Sequence, residues 1–499
     1  MEILNNLIAV KIKNRINKIN YVIKNPISTQ QDLLIDHTQI AKNTLFGKKY
    51  HLTNITNYRL FSDHIPIMDY DTLKPYIIKS QQNQSNILWP GKIKWFAKSS
   101  GTSNEKSKFI PITNQSLYSG HFKAGKDMLA MYLEENSKSR ILHGKSLMIG
   151  GSTSMEKNNN YHSGDLSGII MENLPLWVQL KQSPSRKVAL INDWEKKIQY
   201  IIKEISQQNI THISGVPSWT IIIINKLLKK LNISHLEEIW PHLELYIHGG
   251  ISFTTYKESF NLCTSKPINY METYNASEGF FGIQNKRDQE DLLLLLNHGI
   301  FYEFIPMVNN IELTEKIIPL ENVKTHVIYS MVITTNGGLW RYKIGDTIYF
   351  TSIQPYKIKI YGRTKNFINA FGEELMIDNA NTAIHKTSIR TKSIINEYTA
   401  CPVFHNNNTG SHEWFIEFKK EPSNILDFAN ILDEELKKIN SDYEAKRFKG
   451  IILKKPIIRL MPNQFFYNSM KKKGKIGGQN KIPRLQNDRK FIDELISYL

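Results

Sequence analysis

Ile3, Leu7, Ile12, Ile16, Ile19 and Ile23 recur at three- to five-residue intervals and predict an amphipathic N-terminal helix. Its apolar stripe suits packing on the body of the protein, and its Lys-rich face suits a lipid surface. Asp193 stands as a cap before a second helix with Ile198, Ile201, Ile202 and Ile205 on one face. A short extended piece over 210–214 leads into Gly215-Val216-Pro217-Ser218-Trp219, where Ser218 can cap the apolar helix that follows. Residues 243–247 read as a buried strand ending at Gly249-Gly250. Residues 268–273 read as another, ending at Tyr274-Asn275-Ala276-Ser277-Glu278. Strand, turn and helix in alternation predict an α/β core.

From Gly299 the period changes. Residues 299–306, 326–335, 339–343, 347–351 and 357–361 read as short strands, with Asn336-Gly337 as a two-residue hairpin signal. These predict an antiparallel sheet or barrel. After Gly362-Arg363 a smaller unit begins, with helices near 374–385 and 425–439 and strands near 397–403 and 413–418. The Gly- and Lys-rich stretch 471–480 reads as a mobile loop. The expected fold is therefore mixed α/β and α+β. A large N-terminal domain over 1–362 carries flanked sheets and a barrel-like part, and a mobile α+β domain spans 363–499.

The chain has 499 residues, 41% of them hydrophobic and 22% charged, which excludes a largely disordered or collagen-like polymer. The net charge of +18 raises the question of nucleic acid. The basic residues are spread widely, however, in a chain rich in Lys, Ile and Asn, so general basicity is the better account. The two cysteines, Cys263 and Cys401, match no zinc spacing and read as buried small apolar residues in a reducing compartment. No apolar run reaches membrane-spanning length, and the N-terminus lacks the parts of a secretory signal. The expected setting is the cytoplasm, without a membrane or nucleic-acid partner, and the expected state is a monomer.

Four strings can carry chemistry. In Lys98-Ser99-Ser100-Gly101-Thr102-Ser103, small hydroxyl residues around a glycine let backbone N–H groups approach a phosphate. The spacing is not that of a Walker A loop, and a solvated loop has the same composition. In Tyr274–Glu278, the carboxylate of Glu278 can meet Mg²⁺ beside phosphate oxygens, and Tyr274 can stack on a flat base. In Trp340-Arg341-Tyr342-Lys343-Ile344-Gly345-Asp346, an Asp at a strand end suits two ribose hydroxyls, and Arg341 or Lys343 can meet an anion. An exposed strand followed by a turn would look the same. In Gly477-Gly478-Gln479-Asn480-Lys481-Ile482-Pro483-Arg484, a flexible loop can carry Lys481 to a site, or form a basic tail.

The order and spacing of these strings resemble the adenylate-forming enzymes, and within them the GH3 family of acyl acid–amido synthetases. The resemblance runs from Phe61-Ser62-Asp63-His64-Ile65-Pro66 to Pro483-Arg484 and takes in Gly215–Trp219 and Gly249-Gly250. Two departures are visible. Glu105 stands where the plant members carry Gly, and His248 precedes the Gly pair in place of small hydroxyl residues.

The resemblance implies ATP and Mg²⁺ as cofactors and a carboxylic acid and an amino acid as substrates. The acid is adenylated with release of pyrophosphate, and the acyl group passes to the amine. It further implies that Ser99, Ser100, Gly101, Thr102 and Ser103 cradle phosphates. Glu278 would hold Mg²⁺, with Ser277 beside it, and Asp346 the ribose. Tyr274, Gly249 and Gly250 would border the adenine. Arg363 would sit at the interdomain hinge, and Lys481 would neutralise charge at the reacting phosphate. Two alternatives stand beside this reading: thioester formation with coenzyme A, and a basic nucleotide- or nucleic-acid-binding protein without turnover.

Overall fold

The computed structural model describes residues 14–99, 108–149, 155–191, 194–250, 253, 256–287, 289–308, 311–363, 367–368, 370–371, 373, 375–405, 409–447, 450, 453–473, 482–486 and 488–498. The chain forms two compact units. One comprises Met1–Gly215, Ile239–Gly250 and Ile268–Ile360, the other Val216–Glu238, Ile251–Pro267 and Tyr361–Leu499.

In the first unit one mixed sheet carries both expected strand patterns. Lys145–Ile149, Ile210–Gly215, Leu245–Gly249 and Asn269–Ala276 run parallel in that order. Their central residues Leu147, Ile213, Tyr246 and Met271 are buried. Asn269–Ala276 then turns back antiparallel into Gly279–Ile283, where the sequence suggested a strand leading to a helix. The antiparallel strands expected as a sheet or barrel continue the same sheet, through Leu292–Leu294, Tyr356–Arg363, Tyr342–Ile353, Ile328–Thr335 and Ile300–Val308.

Residues 339–343 and 347–351, expected as two strands, belong to the single strand Tyr342–Ile353 and its approach. Its register against Ile328–Thr335 slips: Ser330 faces Thr347 while Val332 faces Lys343. The extra residues bulge at Gly345, whose φ of +85° suits a residue without Cβ.

Helices cover the sheet as the periodicity predicts. Ile198, Ile201, Ile202 and Ile205 are buried along Trp194–Ile205; the cap Asp193 lies outside the described residues. Ile16, Ile19 and Ile23 of the helix Arg15–Lys24 pack on an apolar cluster with Met131 and Leu295, so this part of the stripe faces protein, while Ile3, Leu7 and Ile12 lie outside the described residues. Phe46 stacks on buried Trp340 at 5.3 Å, and the Trp340 Nε1–H donates to the Leu88 carbonyl.

In the second unit Pro217 opens the helix Pro217–Leu231 with Val216 at the cap. Ser218 is therefore inside the helix: Pro, lacking an N–H, takes the first helical position. The strands Ile394–His405 and Thr409–Lys420 pair antiparallel, and Ile457–Met461 adds parallel to the latter. Helices Ile377–Thr391 and Ile425–Ile439 share a core of Tyr398, Trp414, Phe428, Leu432 and Leu436 with this sheet. The basic stretch expected as a loop from Lys471 starts inside the helix Phe465–Lys472. Both cysteines are buried thiols.

Candidate active site

The Tyr274–Glu278 string lies at a hairpin tip, not at a strand-to-helix turn. Ala276 pairs with Gly279, leaving Ser277 and Glu278 as the two turn residues. Ser277 is buried and Glu278 half-buried.

The Gly345 bulge turns Asp346 towards this hairpin. The Tyr274 hydroxyl donates to Asp346 Oδ2, across 72 positions of sequence, and both side chains are buried. Next to them stands Tyr342, whose phenol is pushed above its ordinary range by burial and then by the negative charges of Glu278, Asp69 and Asp346. The Tyr274–Asp346 bond thus joins the two distant strings, and Tyr342 lies within electrostatic reach of Glu278 and Asp346.

Gly249 adjoins this cluster for a steric reason. It pairs with Thr273, next to Tyr274, and a Cβ on it would lie 2.3 Å from the Thr273 carbonyl oxygen. Thr273 Oγ1 donates to the His248 carbonyl at 3.1 Å, so the strand end is tied on both sides of the pair. Gly250 follows with a φ of +82°, which an L side chain rarely adopts.

Ser99 closes the strand Trp95–Ser99 and pairs with Lys108 of Lys108–Ile112. The Ser99–Ser103 string therefore starts on an antiparallel hairpin whose two arms are held in register. Lys98 pairs with Glu156 at 2.6 Å, and Lys108 lies over the Tyr70 ring. Ser100, Gly101, Thr102, Ser103 and Lys481 lie outside the described residues. Arg363 ends the strand Tyr356–Arg363 and belongs to the second unit.

The two cations suggested as anion contacts have other partners. Lys343 pairs with Glu312. Arg341, expected on an exposed face, is buried and bound to Glu303 and to the carbonyls of Ser62 and Ile65. Its φ of +41° turns it out of strand alternation.

Two neighbours of the site carried no signal in the sequence. Tyr342 sat unnoticed between Arg341 and Lys343. His121 hydrogen-bonds Asn275 of the hairpin string, and burial pushes its imidazole down to about 4, so it is neutral. No periodicity or spacing marks either residue.

Among the described residues no three His, Cys, Asp or Glu side chains form a self-sufficient metal cage. Glu278 offers a hard carboxylate oxygen at a turn. That suits Mg²⁺, which takes one or two carboxylates and fills the rest of its shell with phosphate oxygens and water.

The model of the GH3 family N-terminal domain matches residues 15–268, that of the central domain 293–363 and that of the C-terminal domain 378–490. Indole-3-acetic acid-amido synthetase GH3.2 of Arabidopsis thaliana is 22% identical over 425 residues, 67% of this chain and 73% of that one. Jasmonoyl–L-amino acid synthetase JAR4 of Nicotiana attenuata is 23% identical over 399 residues, covering 67% and 68%. Among solved structures, GH3.15 acyl acid amido synthetase superposes with a TM-score of 0.81 at 15% identity, covering 97% of this chain and 96% of that one. A 2-hydroxyisobutyryl-CoA ligase in the postadenylation state shares the fold at a TM-score of 0.57 and 11% identity, covering 94% and 90%. With three domain models matched in succession along most of its length, the chain belongs to the GH3 family.

Proposed function

We propose that this chain activates a carboxylic acid with ATP and transfers the acyl group to an amino acid amine, forming an amide. The observation that carries this reading is the Tyr274–Asp346 hydrogen bond, which joins two of the four strings in a chain of the GH3 family. In the first half-reaction a carboxylate oxygen of the acid attacks the α-phosphorus. The bond to the β-phosphate oxygen breaks, leaving acyl-AMP and pyrophosphate. In the second, the amine attacks the acyl carbonyl and loses a proton, and AMP departs.

Such chemistry needs positioning and charge neutralisation more than a protein nucleophile. Asp346 is suited to accept from the ribose hydroxyls, and Gly249 and Gly250 to let an adenine approach the backbone. Ser99, Ser100, Gly101, Thr102 and Ser103 would donate to phosphate oxygens from the hairpin that begins at Ser99. Glu278, beside Ser277, would hold Mg²⁺, which when bound neutralises phosphate charge. Lys481 would bring a positive charge to the α-phosphate, and Arg363 would lie at the hinge of a C-terminal domain, 363–499, that moves between the half-reactions. We take the protein to be a cytoplasmic monomer acting on small molecules, without a nucleic-acid or membrane partner. No helix among the described residues is long and apolar enough to cross a membrane.

The test is pyrophosphate exchange into ATP with Mg²⁺ and a panel of aryl, indole and aliphatic acids, followed by amino acids or coenzyme A as acceptors. Acid-dependent exchange with amide product is expected. Thioester product without amide would move the protein to the coenzyme A ligases. Absence of ATP binding would overturn the reading.

A further inference from the structure

We infer that Tyr274, through its hydroxyl, is a positioning residue for Asp346. The inference rests on the reading of Asp346 as the ribose contact. Tyr274 is 6% exposed. It belongs to the apolar cluster of the first unit and lies 4.7 Å from the Phe281 ring, at 48°. Its strand position opposite Gly282 is fixed by the hairpin, where the register slips between Phe280 and Gly282. Its hydroxyl donates to Asp346 Oδ2.

Asp346 needs such a partner. It follows a glycine with φ +85° in a bulge, where the ladder that would otherwise orient it is interrupted. A carboxylate on a bulge has two torsions to settle. A hydrogen bond from a ring that is itself locked by packing settles them before a nucleotide arrives, which lowers the ordering cost of binding. A carboxylate is an acceptor only, and both ribose hydroxyls can donate to such a group. The two strings flagged in the sequence are then one device: the first holds a rigid ring, and the second offers the carboxylate that the ring aims.

Tyr274→Phe separates the two roles, because Phe keeps the ring face and loses only the hydroxyl. Steady-state exchange is measured on the full chain with ATP, 2′-deoxy-ATP, 3′-deoxy-ATP and GTP, and folding is checked by thermal denaturation. We expect KM for ATP to rise about 10-fold with kcat within about 2-fold, as for loss of one hydrogen bond to a charged group. The preference for ATP over the two deoxy nucleotides should shrink, and the preference over GTP should hold. Phe that matches the wild type on ATP and keeps its sugar preference overturns the inference. So does a change confined to base preference. Asp346→Asn supplies the approach from the other side: in that background Tyr274→Phe should add nothing, and a full additive loss would count against the coupling. Normal wild-type exchange with a silent Tyr274→Phe sinks this inference alone. A wild type that neither binds nor turns over ATP sinks the functional reading and this inference with it.

Discussion

The guanidinium of Arg341 grips the carboxylate of Glu303 through two parallel bonds, Nε to Oε2 at 2.9 Å and Nη2 to Oε1 at 2.7 Å. Glu303 is fully buried in the strand Ile300–Val308, where it also accepts from the Tyr58 hydroxyl at 3.0 Å. The remaining guanidinium nitrogen, Nη1, caps the carbonyls of Ser62 and Ile65 at the end of the helix Tyr58–His64. One side chain thus fastens the N-terminal helical segment to the sheet, directly before the strand that carries Asp346.

Breaking this pair from either side leaves a buried charge. Glu303→Ala or Arg341→Ala should destabilise the protein by about 3–5 kcal/mol, seen as a large fall in Tm and in soluble yield. Arg341→Lys should not rescue it, because an ammonium cannot bridge both carboxylate oxygens while capping two carbonyls. A Tm within a few degrees of the wild type for all three variants would contradict the fastening role.

Asp346→Ala should leave the fold in place and weaken nucleotide binding. Loss of charge-assisted hydrogen bonds to the ribose is worth roughly 10- to 100-fold in KM for ATP. Titration of ATP into the folded variant checks this, and unchanged affinity would remove Asp346 from the nucleotide subsite.

Gly249→Ala tests the steric role of the glycine pair. The new methyl would sit 2.3 Å from the Thr273 carbonyl oxygen, so two paired strands must part. A loss of about 1–3 kcal/mol in urea unfolding is expected, as for overpacking. An unaltered midpoint would show that the strand end yields freely.

Acid should weaken the first unit. Burial pushes His37, His121 and His212 down to about 4. Unfolded, each titrates near 6.5, so between these values the unfolded chain binds more protons. Their contribution is therefore complete above about pH 6.5 and is lost as pH falls towards 4, costing about 2 kcal/mol per histidine at pH 5. Thermal denaturation at pH 7.5 and pH 5 measures the loss. His37→Gln, which can keep a donor to the Gly299 carbonyl bound by His37 at 3.0 Å, should flatten part of the slope.

Local structure was more legible in the sequence than pairing was. The helix Ile425–Ile439 could be read because its signals are local: an apolar stripe of helical period, and an Asn424 side chain that accepts from the Leu426 and Asp427 amides. Asp346 and Tyr274 were each flagged, but their bond spans 72 residues and depends on a bulge that no alternation of apolar and polar positions records. Arg341 was misread for a related reason. Its partner lies 38 residues upstream, inside a strand, and a charge at a buried position is invisible until its counter-charge is placed. The strand Asn269–Ala276 was expected to lead to a helix because polar residues end its apolar run. In the structure those residues form its hairpin turn.

The second unit draws on three separated stretches of chain, and its buried bonds join them. The Tyr256 hydroxyl donates to Glu397 at 2.9 Å and accepts from Arg484 at 2.8 Å. During synthesis, residues 216–238 and 251–267 therefore leave the ribosome well before the partners that complete their surroundings. Tyr256 must wait for residues 397 and 484 to emerge, a period in which nascent chains aggregate or recruit chaperones. A ribosome that stops before residue 397 releases a chain in which the Tyr256 hydroxyl has met neither of these partners.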